Sequence, residues 1–270
     1  MVRPSSDLLA KSDGVSENLG VGISRTDSEG IAEIVIDVAP VNALNVAGWF
    51  DLADLVTASG KDPETRVVVI RADGKGFCAG VDIKELQADP QAIIGVNRGC
   101  FAAFAAIYDC EVPVIASVHG FCLGGGIGIA GNSDMIVASS DATFALPEVD
   151  RGALGAATHL ARLVPQHRMR AMVYTGEKAT AEELHGYGSV YKVVDRDQLH
   201  AATRELAATI ASKSPTIIRR AKESLNGIDP VDVKRSYRFE QGFTYELNLS
   251  GVSDEARQAF IDKRDAKFTK

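Results

Sequence analysis

Apolar and polar positions follow two alternating patterns along the first three quarters of the chain. Short runs, either alternating or continuously apolar, predict strands. The runs VVVIR and VPVIASV, apolar almost throughout, indicate strands covered on both faces. Longer stretches with helical spacing lie between the runs. Strands are predicted at 21–27, 31–37, 67–71, 112–118, 135–139, 142–146 and 191–195, and helices at 46–60 and 91–110.

This order of strands and helices predicts an α/β core followed by helices. From residue 155 the pattern is mainly helical, and Pro215 and Pro230 mark the starts of two late helices. Residues 1–19 are polar and rich in Ser, Asp and Gly, as expected of a flexible tail. We therefore expect an N-terminal tail at 1–19, a core at 20–208 and a C-terminal helical region at 209–270.

Composition excludes several classes of protein. Apolar residues make up 46% of the 270 residues and charged residues 24%, the balance of a globular protein. The net charge of −7 offers no basic face for nucleic acid, and no apolar run reaches the ~18 residues of a membrane span. The N-terminus lacks the apolar middle of a signal peptide. We expect a cytoplasmic protein that binds neither nucleic acid nor membrane.

Cysteine and histidine spacing gives no sign of a metal site. The four cysteines form no CxxC pair, and the five histidines form no i, i+4 pair. Reduced thiols and no bound metal are therefore expected.

Two glycine clusters, at 74–84 and 120–128, each follow a predicted buried strand and precede a helical pattern. Glycine allows backbone N–H groups to approach a ligand closely, and a helix start presents unpaired N–H donors. Two such loops that converge would form an oxyanion hole. Neither cluster has the phosphate-binding GxxxxGK[ST] pattern or a dinucleotide-binding context.

The motifs FCAGVDIKEL, VHGFCLGGGIGIAGNSD and FALPEVDRGALG resemble the crotonase (enoyl-CoA hydratase/isomerase) superfamily. The resemblance covers about residues 20–270 and includes VNALN, YTG and GSVYKVVD. It implies a spiral of ββα units, a homotrimer or dimer of trimers, and a C-terminal helical region used in trimerisation. It also implies an acyl-CoA thioester substrate and no cofactor apart from the coenzyme A of that substrate.

The resemblance assigns roles to individual residues. The N–H groups of Val81 and Gly125 would hold the thioester oxygen, and Glu148, in the Pro147-Glu148 pair, would be the catalytic carboxylate. A second glutamate of the family's hydratases falls here on Gly128. Water addition to an enoyl group is well served by two carboxylates, so an efficient hydratase is not expected. The expected substrate-binding residues are Ala79, Asp82, Ile83, Lys84, Gly124, Asp150 and His159.

Some of these residues have an ordinary structural alternative. Asp150 also suits a turn before a glycine, and His159 suits a packed or surface position on a helix. Glu240 and Glu246 lie six residues apart, on different helical faces. Either could project toward a neighbouring pocket, but both are expected to be solvated. Basic residues that could meet the CoA phosphates are Lys84, Lys263, Arg264, Lys267 and Lys270.

The stretches 97–104, 147–167 and 239–252 are similar to a branch of the superfamily that acts in actinobacterial steroid breakdown. That similarity implies hydrolytic C–C ring opening of a bicyclic β-keto acyl-CoA, for which one base and one oxyanion hole are sufficient. The alternatives are an enoyl-CoA isomerase, which also needs a single base, a weak hydratase, and a non-catalytic acyl-CoA binding protein.

Overall fold

The computed structural model describes residues 16–18 and 22–267 of the chain. The strands are β1 Ser16–Asn18, β2 Ile23–Ser28, β3 Ile31–Ile36, β4 Ala43–Leu44, β5 Val67–Ala72, β6 Gly80–Val81, β7 Val114–Val118, β8 Phe121–Leu123, β9 Met135–Ser139, β10 Thr143–Ala145, β11 Ala179–Thr180 and β12 Lys192–Val194. The helices are α1 Val46–Lys61, α2 Ile83–Ala88, α3 Ala92–Asp109, α4 Gly125–Asn132, α5 Ala157–Leu160, α6 Gln166–Thr175, α7 Ala181–Gly186, α8 Leu199–Ala211, α9 Pro215–Gly227, α10 Val233–Leu249 and α11 Val252–Ile261. Single 3-10 turns cover Pro147–Arg151 and Arg196–Gln198.

Seven strands form the main sheet in the order β1-β2-β3-β5-β7-β9-β12. The first three strands are antiparallel neighbours, and the pairs from β3 to β12 are parallel. Glu29 and Gly30, with φ of 55° and 77°, join β2 to β3. A two-residue loop with positive φ at both residues has a backbone twist that matches the right-handed twist of the two strands it joins.

The central parallel strands are covered on both faces, as their apolar runs predict. Val68 and Ile70 belong to the larger core, which also contains residues of α1 and α3. Val67 and Val69 belong to a second cluster under α8. Alternate residues of β5 therefore serve two separate cores.

Two small sheets bring the glycine clusters together. β4 pairs with β6 in one sheet, and β8, β10 and β11 form the other. A bridge between Cys78 and Cys122 connects the segments that lead into the two clusters. β6 and the start of α4 thus lie side by side at one edge of the core.

The α/β class predicted from the sequence is confirmed, and the strand and helix predictions agree with the structure to within a few residues. Two details differ. α10 begins at Val233, behind an Asp232 side chain that accepts from the Arg235 N–H, and not at Pro230. Ser16–Asn18, inside the predicted tail, pairs with β2. Residues 1–15 and 19 of that tail lie outside the described residues. Within the described ranges, no helix combines the length and hydropathy needed to cross a membrane.

Candidate active site

The two glycine loops touch through backbone atoms. A Cβ added to Gly80 would lie 2.8 Å from the Gly125 nitrogen, and one added to Gly125 would lie 3.3 Å from the Gly80 Cα. Gly80 and Gly124 also have φ of 91° and 55°, which side chains disfavour. Because Gly125 is the first residue of α4, its N–H has no acceptor within the helix. The loops therefore form the close approach expected of an oxyanion hole.

A cavity of about 380 Å³ opens beside this contact. Its volume lies in the range of ~300–1,000 Å³ typical of small-molecule sites. Most of its wall is apolar, with the glycine loops at one side and α3, α10 and α11 around the rest. The predicted site residues that line it are Ala79, Val81, Asp82, Ile83, Lys84, Gly124, Gly125 and Glu148.

Glu148 lies on the 3-10 turn after β10, and its carboxyl group lies over Gly124. A Cβ at Gly124 would be 2.5 Å from Glu148 Oε1, so only glycine leaves this carboxyl its place. Oε2 is shielded from solvent and has no hydrogen-bond partner among the described residues. Burial raises the pKa of Glu148 to about 8, although Arg151 acts in the opposite direction. Such a carboxyl is suited to proton transfer near neutral pH.

At position 128, where the family's hydratases carry a second glutamate, packing leaves no room for a side chain. A Cβ at Gly128 would lie 2.1 Å from Cζ of the Phe104 ring. Phe104 makes an edge contact with Trp49 at 5.5 Å and packs against His159 and Tyr237. An aromatic ring thus fills the space next to position 128, and Glu148 is left as the single carboxylate of the predicted pair.

Asp82 and Lys84 line the cavity but differ in their surroundings. Asp82 Oδ1 accepts from the Lys84 N–H at 2.9 Å and caps α2, so this carboxylate has a structural role. The Lys84 side chain is exposed and free to meet a ligand at the rim. Among the other basic candidates, Arg264 is paired with Glu255 at 2.6 Å. Lys270 lies outside the described residues.

Two predicted substrate-binding residues are not among the described residues that line the cavity. Asp150 is exposed, with Oδ2 toward Gly176, because the 3-10 turn directs it away from Glu148. His159 is buried behind the Phe104 and Tyr237 rings, and its Nδ1 is 2.8 Å from Asn132 Nδ2. Burial lowers the pKa of His159 to about 3, so the ring stays neutral. In the structure His159 packs behind the cavity wall, and Asp150 lies on the 3-10 turn.

Glu240 was expected to be solvated, but in the structure its carboxylate is bonded to the start of α5. Its carboxylate accepts from the Ala157 N–H at 3.0 Å and from the Thr158 N–H and hydroxyl at 2.9 and 2.5 Å. These bonds hold the start of α5, where Ala156 has φ of 61°. Burial raises the pKa of Glu240, and its charge also raises the pKa of Glu148. Glu246 is exposed, as expected.

Several lining residues were not among the predicted site residues, although some lie in the stretches 97–104 and 239–252 that resemble the steroid-breakdown branch. They come from α3, α10 and α11, helices in which the catalytic motifs of the family do not lie. Their helical spacing on a buried face and, for some, the resemblance of those two stretches were the available signals. Cys100 is one of them, and burial raises the pKa of its thiol. The others with polar or aromatic side chains are Asn97, Phe104, Tyr237, Thr244, Asn248, Ser253, Arg257 and Phe260.

Comparisons with known proteins agree with this geometry. A family profile described as enoyl-CoA hydratase/isomerase matches residues 26–270. A Rhodococcus jostii protein is 61% identical over 241 residues, covering 88% of this chain and 93% of its own. A Mycobacterium tuberculosis protein is 59% identical over 242 residues, covering 89% and 98%. Both are named (7aS)-7a-methyl-1,5-dioxo-2,3,5,6,7,7a-hexahydro-1H-indene-carboxyl-CoA hydrolase.

Solved structures give the same picture of the fold. An enoyl-CoA hydratase from Mycobacterium avium subsp. paratuberculosis superposes with a TM-score of 0.82 at 26% identity. The match covers 92% of this chain and 99% of that chain.

Proposed function

The chain belongs to the enoyl-CoA hydratase/isomerase family, and from this we propose that it hydrolyses a C–C bond of a bicyclic β-keto acyl-CoA in steroid breakdown. Glu148 acts as the base, and the Val81 and Gly125 N–H groups hold the thioester oxygen. One observation carries the proposal: a single buried carboxyl faces the oxyanion loops while Phe104 closes the position of a second.

The names of the two close relatives support a substrate of this class. Those names specify a bicyclic indene skeleton with two ring ketones and a carboxyl-CoA group. A mostly apolar cavity suits such a fused ring, and a ring ketone supplies a carbon that water can attack. At about 60% identity across nearly the whole chain, hydrolysis is favoured over the isomerase, hydratase and non-catalytic alternatives.

The proposed reaction begins with proton transfer from water to the Glu148 carboxylate. The water oxygen bonds to a ring keto carbon, and collapse of the adduct breaks the bond between that carbon and its ring neighbour. The keto carbon becomes a carboxyl group. The electron pair passes to the carbon system conjugated with the thioester and is held as an enolate by the two N–H groups. Return of the proton to carbon completes the addition of one water.

A single carboxylate is sufficient for this sequence because the same group removes and returns the proton. The step draws on water and on groups of the chain, and we propose that it uses no cofactor beyond the coenzyme A of the substrate. Lys84, exposed at the cavity rim, is proposed to meet a CoA phosphate.

Product analysis in heavy-oxygen water tests the function. The bicyclic dioxo acyl-CoA should gain one labelled water, carry the label in a new carboxylate and keep its coenzyme A. Release of free CoA thiol instead would mean thioester hydrolysis. Hydration or double-bond movement of a straight-chain enoyl-CoA, with the bicyclic ester unchanged, would return the chain to the hydratases or isomerases.

The pH dependence of kcat/KM should follow the Glu148 carboxyl. The base must be ionised, and burial raises its pKa to about 8 in the free protein. We therefore expect kcat/KM to rise about tenfold per pH unit below that pKa and to level off above it, since kcat/KM reports the free enzyme. Initial rates between pH 6 and 9.5 provide the check. A flat profile across this range would show that Glu148 is not the titrating base.

We also propose that the protein assembles as a homotrimer or a dimer of trimers in the cytoplasm. Large apolar side chains on α10 support a further interface, with Phe239 71% and Leu249 86% exposed. The cytoplasmic location is supported by the four free, buried cysteines, which suit a reducing compartment. Light scattering should give three or six times the chain mass of 28.7 kDa. Phe239→Glu should lower this mass, and a monomeric wild type would contradict the assembly.

A further inference from the structure

One face of α3 forms a wall of the acyl cavity. Its lining side chains are Ile93, Val96, Asn97, Cys100 and Phe104, at the spacing of one helical face. Four of these positions are apolar or carry a thiol. Asn97 is the single carboxamide on this face.

The Asn97 side chain is buried, but no hydrogen bond within the described residues accounts for the burial of its amide nitrogen. Its residue is 6% exposed, and Nδ2 is shielded from solvent with no acceptor among the described residues. The backbone is well held, because the Asn97 carbonyl accepts from Gln241 Nε2 at 2.7 Å. A buried amide donor without a partner lowers stability, so native proteins rarely keep one unless something else pairs with it.

Other buried polar side chains of the wall are engaged by the protein itself. The Ser253 hydroxyl donates to the Gly152 carbonyl, and Thr244 donates to the Leu154 carbonyl. Arg257 donates from Nη1 to Asn248 at 2.8 Å and from Nη2 to Asp254, while its Nε has no partner among the described residues. Asn97 differs from these residues because its only side-chain donor group, Nδ2, has no acceptor among the described residues.

Asn97 and Phe104 lie about two turns apart on the face of α3 that lines the cavity. Phe104, seven residues further along α3, packs over Gly128 of α4. At 1.5 Å per residue, Asn97 lies roughly 10 Å along the helix axis from that point. In the proposed function the Val81 and Gly125 N–H groups already serve the thioester oxygen, so we take an oxygen of the acyl group as the partner of the Asn97 amide.

We infer that the Asn97 carboxamide donates a hydrogen bond to a ring keto oxygen of the substrate and so determines specificity for oxygenated bicyclic acyl groups. The inference rests on the proposed function, because the ring ketones come from that substrate class. A site that pairs a buried donor with a substrate oxygen discriminates strongly against analogues that lack the oxygen.

Binding measurements in a Glu148→Gln background test this without turnover. The probes are the bicyclic dioxo acyl-CoA and the same ring system with both ketones replaced by methylene groups. Asn97→Leu should weaken binding of the dioxo ligand about tenfold or more and leave the ketone-free ligand within about twofold. The unligated Asn97→Leu protein should melt at or above the parent temperature, because the substitution removes an unpaired polar group.

Asn132→Leu is the matched control. Asn132 is also buried, but its Nδ2 donates to the Gly128 carbonyl and lies 2.8 Å from His159 Nδ1. Its replacement should lower the melting temperature and affect both ligands alike.

Equal weakening of both ligands by Asn97→Leu, or no weakening of either, would overturn the inference. If the leucine variant does not fold, Asn97→Ser permits the same comparison. The two proposals can fail separately. If Asn97→Leu selectively weakens the dioxo ligand but no C–C hydrolysis occurs in heavy-oxygen water, the proposed reaction is rejected and the role of Asn97 in binding stands.

Discussion

Glu148→Gln is expected to slow ring opening by about 10²- to 10⁴-fold, the usual contribution of a general base. Glutamine keeps the size of the side chain but cannot take a proton from water. The oxyanion loops, formed by backbone groups of Gly80, Gly124 and Gly125, do not depend on this side chain for their approach. Affinity for the bicyclic acyl-CoA should therefore stay within a few fold, as measured by calorimetry.

The same substitution should raise stability at alkaline pH. Burial raises the pKa of Glu148 to about 8, so the folded protein holds this proton more tightly than the unfolded chain does. Stability from the protonated form is present below the unfolded pKa and is lost as pH rises toward 8. Glu148→Gln cannot ionise, so its advantage in melting temperature should be small near pH 5 and largest at pH 9.

Glu246→Gln is the control, because Glu246 is exposed on α10. It should change neither turnover nor the pH dependence of melting. Full activity of Glu148→Gln would remove Glu148 from the mechanism, and an equal loss of binding and turnover would give it a role in binding only.

Gly128→Glu, which restores the second carboxylate of the family's hydratases, is expected to impair folding without producing a hydratase. The new Cβ would lie 2.1–2.5 Å from three atoms of the Phe104 ring, and Phe104 is itself packed against Trp49, His159 and Tyr237. Overpacking costs about 1–3 kcal/mol and an unpaired buried carboxylate adds to it. A loss of at least about 3 kcal/mol in urea unfolding is the expected result.

Gly186→Glu separates this steric effect from the general cost of losing a glycine. Gly186 is also helical, and a Cβ added there would have no described atom within 4 Å. It should change stability by less than about 0.5 kcal/mol. Adding Phe104→Ala to Gly128→Glu should recover part of the loss. If Gly128→Glu alone folds normally, the ring can move aside and the position is open.

The sequence predicted the strands well because each buried run serves two cores, as Val67 and Val68 do on opposite faces of β5. It predicted the glycine loops because three consecutive glycines before a helix indicate a close approach of backbone to a ligand. Glu148 was predicted from its Pro-Glu motif, whereas the raised pKa that suits it to the proposed role of base depends on burial, which appears only in the fold.

Residues on helices were predicted less well, for a geometric reason. Spacing places Glu240 and Glu246 on different helical faces, but it does not indicate which face meets α5. His159 and Asn97 were equally ambiguous: one packs behind the cavity wall and the other is part of it. The contact between Gly128 and Phe104 joins residues 24 apart, and only packing reveals it.

Cys100 lies on the cavity wall, where the substrate's own acyl group would pass. A thiolate that attacks the thioester carbon would release the CoA thiol and leave the protein acylated on sulfur. Burial raises the pKa of the Cys100 thiol, so the nucleophilic thiolate is scarce at neutral pH. The apolar wall thus protects the chain against self-acylation, and for the same reason cysteine-directed electrophiles should label this cavity slowly.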